Sequence, residues 1–501
     1  MSRPEGVLRN GLLPEPLIFE RGAPGRTGAT CDPGEVGGPA PADVLPSGLR
    51  RDDGLAGLPE VSELDVVRHF TRLSQWNLSA ATTLYPLGSC TMKYNPVVHE
   101  AVVRLPGFAD LHPLLPDAWA QGTLELMDGL AGFLRAVSGL PGVSLQPAAG
   151  AHGELTGMKM VRAYHTDRGN PRNRVLIPAS AHGTNPASAA LCGYTVTEMP
   201  ANDFGILEVD TVRKHLGTDV AALMVTNPNT IGLFERNIQA IADAVHEAGA
   251  LLYCDGANMN ALLGVAKPGD MGADVLQFNL HKTFSTPHGG GGPGAGPVAV
   301  SERLEPYLPT PRLVRDPKGL RWSEDFPKAI GRVRSFHGNV GMLVRAYCYM
   351  RTLGGDGLTD ATAMAVLNAN YIRAELSGVL PLAFETPSLH ECVFTDHDLA
   401  ATGVHTLDLA KRLLDYGFFA PTIYFPLVVP GAIMVEPTET ESKQTLDEFI
   451  AAVRAIVAEA RETPELVKEA PHATFVGRLD ETRAARRPVL RWKPPTARPT
   501  E

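Results

Sequence analysis

The sequence has no C-x-x-C pair and no cluster of histidines. Its six cysteines, Cys31, Cys90, Cys192, Cys254, Cys348 and Cys392, are scattered along the chain. Zinc sites and disulfide frameworks need cysteine or histidine at close, regular spacing, so the pattern points away from both and toward reduced, mostly buried thiols. Long apolar runs are missing too: none approaches membrane-spanning length, and the opening MSRPEGVLRNGLLPEPLIFE lacks the uninterrupted apolar segment of a secretory signal. A cytoplasmic protein that does not enter membranes is expected. Positive charge is in short supply, with 45 Lys and Arg against 55 Asp and Glu for a formal net charge of −10. That balance argues against a surface for nucleic acid or anionic lipid. No internal repeat is present.

Glycine and proline are plentiful, at 50 and 42 of 501 residues, and crowd into residues 1–60, the run 287–297 and the C-terminal end. Residues 1–60 have little periodicity and read as an extended arm or as disordered chain. The basic end, RLDETRAARRPVLRWKPPTARPTE with Trp492, reads as a tail (471–501) that either docks on a partner or is simply solvated. Between them, hydrophobic residues at 44% and charged residues at 20% are ordinary for a globular chain with a sizeable core.

Periodicity then divides the chain. Ser62 followed by Asp65 forms a capping box ahead of ELDVVRHFTRLSQW, where Leu64, Val67, Phe70 and Leu73 share one stripe, so a helix is expected there. From 170 to 300, short apolar runs alternate with helical segments. The candidate strands are 174–180, 194–199, 222–227, 250–255, 275–279 and 297–301, and RNIQAIADAVHEAG supplies a crossover helix closed by Gly249. Continuous apolar strands joined by helices predict an α/β domain over 61–340, with a mainly parallel sheet covered on both faces. After residue 340 the rhythm becomes strand, helix, strand, helix, which predicts a smaller α+β domain over 341–470.

In a parallel sheet of this kind the ligand crevice lies beyond the carboxyl ends of the strands. Asp255 ends one predicted strand, and Lys282, 27 residues later in NLHKTFSTPHGGGG, follows another. Singly they read as a capping Asp and a surface Lys. Together they suit pyridoxal phosphate (PLP), with the lysine joined to the aldehyde as a Schiff base and the aspartate keeping the pyridine nitrogen protonated. Small residues in QPAAGAHGE, Gly150 and Ala151 among them, precede a helix and suit a phosphate cradle at its N-terminus. His182 and Thr226 also follow strands. His182 either stacks on the ring or is a core histidine, and Thr226 either bonds the cofactor or forms a turn. The run HGGGGPGAGP (288–297) is no dinucleotide loop, because it enters a strand rather than a helix.

Several segments, namely YPLGSCTMKYNP (85–96), QPAAGAHGE (146–154), IPASAHGTNPASA (177–189), CDGANMNA (254–261), NLHKTFSTPHGGGGPGAGP, FHGNVGMLVRAY (336–347), HECVFTD (390–396) and EPTETESK (436–443), closely resemble the P-protein of the glycine cleavage system. The resemblance implies a PLP-dependent transferase-like fold (fold type I). It also implies decarboxylation of glycine, with the lipoyl arm of the H-protein accepting the aminomethyl group. The family's lysine maps onto Lys282, and the free lysine, with His281 nearby, is the expected proton carrier. Asp255, His182, Gly150, Ala151, His152, Thr226 and Ala257 are the implied cofactor contacts. Ser89 and Asn95, with Thr91 and Lys93, are candidates for the glycine carboxylate, although packing of their loop is an equal reading. The length is similar to the second subunit of the split bacterial form, whose partner is a homologous first subunit lacking the lysine, in a hetero-tetramer of two subunit types. The competing readings are another fold-type-I enzyme acting on a small amino acid (a decarboxylase or aldolase) and a non-catalytic scaffold subunit.

Overall fold

The computed structural model describes residues 15–23, 26, 59–288 and 294–491. Most of the N-terminal arm, the glycines of the 288–297 run up to Pro293, and Trp492 lie outside the described residues. The chain forms two compact units: Met1–Leu78 with Leu414–Gly417 and Glu469–Glu501, and Ser79–Leu413 with Phe418–Lys468.

The first unit contains the expected helix, α1 (Glu63–Gln75). Ser62 accepts a hydrogen bond from the Asp65 amide, and the Asp65 carboxylate reaches back to the Ser62 amide, so two of the helix's free N-terminal donors are satisfied. The apolar stripe that predicts the helix is not what this unit buries. Leu64, Val67 and Phe70 are 54%, 56% and 59% exposed. The buried residue is His69, whose Nδ1 lies 2.8 Å from the Glu15 carboxylate, which Arg21 and Arg72 also bind.

The second unit is built on a seven-stranded sheet with the order β1-β7-β6-β5-β4-β2-β3. The strands are β1 (Gly142–Ser144), β2 (Arg174–Pro178), β3 (Thr195–Met199), β4 (Val220–Thr226), β5 (Leu251–Gly256), β6 (Val275–Phe278) and β7 (Val298–Val300). Neighbours from β3 through β6 pair in parallel, and β7 alone is reversed. Every residue of β4, β5 and β6 is buried, as their unbroken apolar character requires of central strands covered on both faces. The chain leaves β2 for the edge strand β3 and returns to the other side of β2 as β4. That reversal of direction opens a crevice at the carboxyl ends of β2 and β4.

One covering helix, α2 (Gly150–Asp167), lies unusually close to the sheet because glycines form one of its faces. A Cβ on Gly153 would sit 2.7 Å from the Gly296 carbonyl oxygen, and one on Gly157 would sit 2.6 Å from the Tyr253 ring. The helix next in contact with α2 is α3 (Thr184–Leu191), and α4 (Ile238–Glu247) is the expected crossover between β4 and β5.

A second core gathers around Phe394, Phe449 and Ile372. It packs the long α5 (Val340–Leu376, interrupted at Gly354) and α6 (Lys443–Glu462) against an antiparallel sheet, in which β8 (Cys392–Thr395) and β9 (Thr422–Ile423) flank β10 (Ala432–Val435). Lys93 is consumed in joining these parts. Its buried ammonium donates to Glu439 at 2.6 Å, Asn260 at 2.8 Å, the Thr283 carbonyl at 2.9 Å and Tyr349 at 3.2 Å. A lysine so fully occupied has no donor left for a substrate.

The glycine face of α2 gives a paired test. Gly153→Ala forces a methyl group against backbone and should destabilise the protein by about 1–3 kcal/mol. Gly132→Ala, in a helix where a Cβ meets nothing within 4 Å, should stabilise it by about 0.4–1 kcal/mol. Thermal midpoints moving in opposite directions are the expected result.

Candidate active site

A cavity of about 220 Å³ opens at the carboxyl ends of the strands. Its walls come from strand ends (Thr226, Asp255), the turns after them (Ala257, Lys282), the start of α2 (Gly150, Ala151) and the loop around Ser89. Lys282 enters one turn after β6, and its Nζ donates to the Ser89 carbonyl at 2.6 Å. Asp255, the fifth residue of β5, is 3% exposed and makes no ion pair among the described residues. Three N–H donors hold its carboxylate instead: Asn185 Nδ2 at 3.0 Å, the Ala257 amide at 2.9 Å and Gln277 Nε2. Donors of this kind offset the desolvation of a buried carboxylate while leaving it unneutralised.

A second carboxylate lies beside it. Glu154, in the first turns of α2 and 4% exposed, accepts from Thr184 Oγ1 at 2.9 Å and from Asn185 Nδ2 at 2.9 Å. The Asn185 amide therefore bridges the two acids. Burial, reinforced by the nearby Asp255, pushes Glu154 up to about 8, so near neutral pH it holds a proton.

Of the residues picked from the sequence, Ser89, Gly150, Ala151, His182, Thr226, Asp255, Ala257, His281 and Lys282 all line this cavity. Four others do not. Thr91 and Lys93 are bound to Glu436 and Glu439. His152 turns its Nδ1 to the Ala148 amide at 3.1 Å, which shapes the loop ahead of α2, and Asn95 donates to Ser285 Oγ at 3.3 Å, tying its loop to the segment just after Lys282. His182 bonds Thr184 Oγ1 at 2.9 Å, and its ring contacts Phe425 edge-on. Burial drives His281 down to about 3, with His288 and Lys282 adding to the effect, so its imidazole is neutral.

Sequence reasoning missed Glu154, Asn185, Gln277 and Asn279. The signal for Gln277 was available: a glutamine inside the otherwise apolar VLQF is a buried polar group that must have a partner. It donates to Asp255 and accepts from Tyr253 OH and the Gly256 amide, both at 3.1 Å. Glu154 and Asn185 stood inside quoted motifs, but nothing local shows that helices α2 and α3 meet at the end of β5.

Several polar groups on the cavity wall have no protein partner. Thr226 Oγ1, Asn279 Oδ1 and His281 Nδ1 are buried without a hydrogen bond. At the start of α2 no side chain caps the free amides, since the N-cap is Ala149. A helix N-terminus, an amine and an uncompensated carboxylate thus face one space, suited to a ligand with an anionic end, a carbonyl and a basic nitrogen. A larger cavity of about 280 Å³ at the β1 edge, walled by Arg135, Arg312 and Trp322, contains none of these groups.

The raised Glu154 sets a pH test. Its protonated form is favoured by the fold, so its contribution to stability is complete below the unfolded value of about 4.5 and is lost as pH rises through about 8. Glu154→Gln should remove that loss. The thermal midpoint of the ligand-free variant should fall less steeply than that of the parent between about pH 7 and 9, and parallel slopes would show that Glu154 does not titrate there.

Comparison with known proteins gives a consistent answer. Residues 41–319 match the family model described as glycine cleavage system P-protein, and residues 361–473 match the C-terminal domain of glycine dehydrogenase. The chain is 52% identical over 479 residues to a probable glycine dehydrogenase (decarboxylating) subunit 2 of Listeria monocytogenes serotype 4b, covering 95% of this chain and 98% of that one. It is 53% identical over 475 residues to the protein of the same description from Chlorobium chlorochromatii, with the same coverage. Among solved structures it resembles a glycine decarboxylase (P-protein) in inhibitor-bound form, with a TM-score of 0.67 at 21% identity over 84% of this chain and 93% of that one. It also resembles a cysteine desulfurase from Thermococcus onnurineus NA1, with a TM-score of 0.60 at 14% identity over 75% and 95%. These likenesses place the sheet and its helices in a fold shared by several enzymes, and the matches along the sequence narrow that to one of them: the chain belongs to the glycine cleavage system P-protein family.

Proposed function

We propose that this chain is the PLP-carrying subunit that decarboxylates glycine and delivers the aminomethyl group to the lipoyl arm of the H-protein. The observation that carries the reading is the placement of Lys282 and Asp255 on the walls of one cavity, at the ends of adjacent strands, beside an uncapped helix N-terminus. The residues fit the cofactor. Lys282 is the covalent anchor, Asp255 the partner of the pyridine nitrogen, and the amides at Gly150 and Ala151 the phosphate cradle. Thr226 Oγ1 and Asn279 Oδ1 have hydrogen-bonding capacity unused by the protein, as a bound cofactor would require.

When bound, the cofactor supplies a sink for the electron pair left behind by a departing carboxylate. The protein's share is positional and electrostatic. Asp255 holds a proton on the ring nitrogen by remaining a carboxylate, and the protonated Glu154 beside it avoids adding a second negative charge. His182, on the cavity wall, would hold the ring from one side, and Ala257 fixes Asp255 through its amide. The Lys282 amine lies within reach of the Ser89 carbonyl and would carry the proton, while the neutral His281 beside it adds no charge to the cavity. Ser89 remains our candidate for the glycine carboxylate, whereas His152 shapes its own loop and Asn95 ties its loop to the segment after Lys282. In the net reaction the bond from glycine's Cα to its carboxylate breaks and a C–S bond forms. The lipoyl S–S bond opens, and its second sulfur leaves as a thiol.

The relatives' description as a second subunit supports a homologous first subunit as partner, and we place the pair in a hetero-tetramer in the cytoplasm. Among the described residues no helix is long and apolar enough to cross a membrane. The separate core around Phe394 and Phe449 supports a division into a cofactor-binding lobe (61–340) and a smaller lobe (341–470), flanked by the arm (1–60) and the tail (471–501).

The test is exchange of labelled bicarbonate into the glycine carboxyl group, assayed with the partner subunit and lipoylated H-protein. Lys282→Ala should abolish both the exchange and the yellow colour of the loaded protein. Asp255→Asn should lower the exchange on the order of a hundredfold. Borohydride fixing the cofactor to the Lys282→Ala protein would refute the assignment.

A further inference from the structure

The loop that faces Lys282 is held in an unfavourable conformation by groups that the proposed reaction leaves unexplained. Ser89 and Thr91 have φ of 60° and 46°, in the left-handed region that residues with side chains adopt only when their surroundings impose it. Two buried carboxylates impose it here. The Ser89 amide donates to Glu391 at 2.8 Å, and the Cys90 and Thr91 amides donate to Glu436, each at 3.1 Å. Thr91 Oγ1 also donates to Glu436. Three consecutive backbone N–H groups are thus aimed at two side chains that are 0% exposed.

The fold brings these carboxylates together through the small sheet. Cys392 of β8 pairs with Val435 of β10, so the residues one step beyond, Glu391 and Glu436, lie side by side. No lysine or arginine forms an ion pair with either among the described residues. The titratable group nearest them is His390, at 3.8 and 3.9 Å, whose ring nitrogens have no hydrogen-bond partner. Burial holds His390 down, so it supplies no compensating positive charge, and burial with the neighbouring Glu436 pushes Glu391 upward.

The peptide unit between Ser89 and Cys90 has both its polar ends engaged. Its N–H points to the Glu436 carboxylate, and its C=O accepts the Lys282 ammonium at 2.6 Å. Hydrogen bonds in series polarise one another, so a carboxylate on the N–H makes the carbonyl a stronger acceptor. The preceding peptide is wired differently: its N–H goes to Glu391, but its carbonyl, that of Gly88, accepts from Thr422 at 2.7 Å.

We propose that Glu436 is a positioning residue for Lys282, holding the lysine's amine at the cavity wall through the polarised Ser89–Cys90 peptide. The proposal deepens the assignment of Lys282 as cofactor anchor and rests on it. It ties the smaller sheet to the reacting amine without any contact between Glu436 and the cofactor cavity. Glu391 supports the loop but does not act on the amine.

The full-length chain, freed of cofactor, is treated with limiting acetic anhydride at fixed pH, and acetylation of Lys282 is measured by mass spectrometry against the exposed Lys318. In Glu436→Gln, which keeps the shape and removes the charge, Lys282 should react about fivefold faster because its amine is less firmly held. Glu391→Gln should change it less than twofold. Val453→Ala, a cavity in the same core, should lower the thermal midpoint and leave Lys282 labelling unchanged. Labelling that rises equally in Glu436→Gln and Val453→Ala, or stays within about twofold in Glu436→Gln, overturns the proposal. A second readout does not depend on how Glu436→Gln folds. Ser89–Cys90 is the one Ser–Cys pair in the sequence, so carbonyl-13C serine with 15N cysteine gives a single peptide resonance. Lys282→Ala should move both its carbonyl and its amide proton, and an unmoved amide proton would overturn the coupling. Neither measurement uses glycine or H-protein, so each can fail while bicarbonate exchange succeeds, and the reverse.

Discussion

A carboxylate buried without a cation is the constraint around which the cavity is organised. Asp255 sits at the end of a central strand where solvent cannot reach it, and the fold answers with N–H donors from three separate places. Each donor fixes something else as well. Gln277 ties β6 to β5, Asn185 ties α3 to the strand ends, and the Ala257 amide sets the turn that follows β5. The arrangement is complete in hydrogen bonds and incomplete in charge. In the proposed reading a protonated heterocycle beside Asp255 would supply the missing charge.

The proton on Glu154 follows from that constraint. Two ionised carboxylates bridged by one amide in a dry site would repel strongly, and holding one of them neutral is the cheaper solution. The loop from Tyr85 to Pro96 shows a comparable economy. Its lysine is spent on a buried ion pair with Glu439, and its three central amides on Glu391 and Glu436, so the part of it left facing the cavity is mainly the backbone and side chain of Ser89. A segment that reads as a set of substrate-binding side chains is largely a precisely folded peptide. Its polar side chains make its shape.

The α2 helix shows how local composition serves the same site. Small residues ahead of it suggested a phosphate cradle, and the glycines further along turn out to matter for a different reason, since they let the helix sit close enough to the sheet for its uncapped N-terminus to reach the cavity. The apolar stripe of α1 teaches the opposite lesson. Periodicity identified the helix correctly, yet Leu64, Val67 and Phe70 remain exposed within their unit, because periodicity marks a face without saying what covers it.

The sequence alone determined the central strands, the mainly parallel sheet and the two residues, Asp255 and Lys282, that end up facing one cavity. These depend on short-range facts: apolar runs of strand length, capping residues, and the rule that parallel sheets bind ligands beyond their carboxyl ends. The family resemblance added the chemistry. Tertiary structure decided which polar side chains meet. It retained Ser89, His182 and Thr226 at the cavity, turned His152 back into its loop and Asn95 onto Ser285, and brought in Glu154, Asn185 and Gln277. The physical reason is that a hydrogen bond is settled within about 3 Å. Residues separated by tens or hundreds of positions come that close only once the helices and strands have packed.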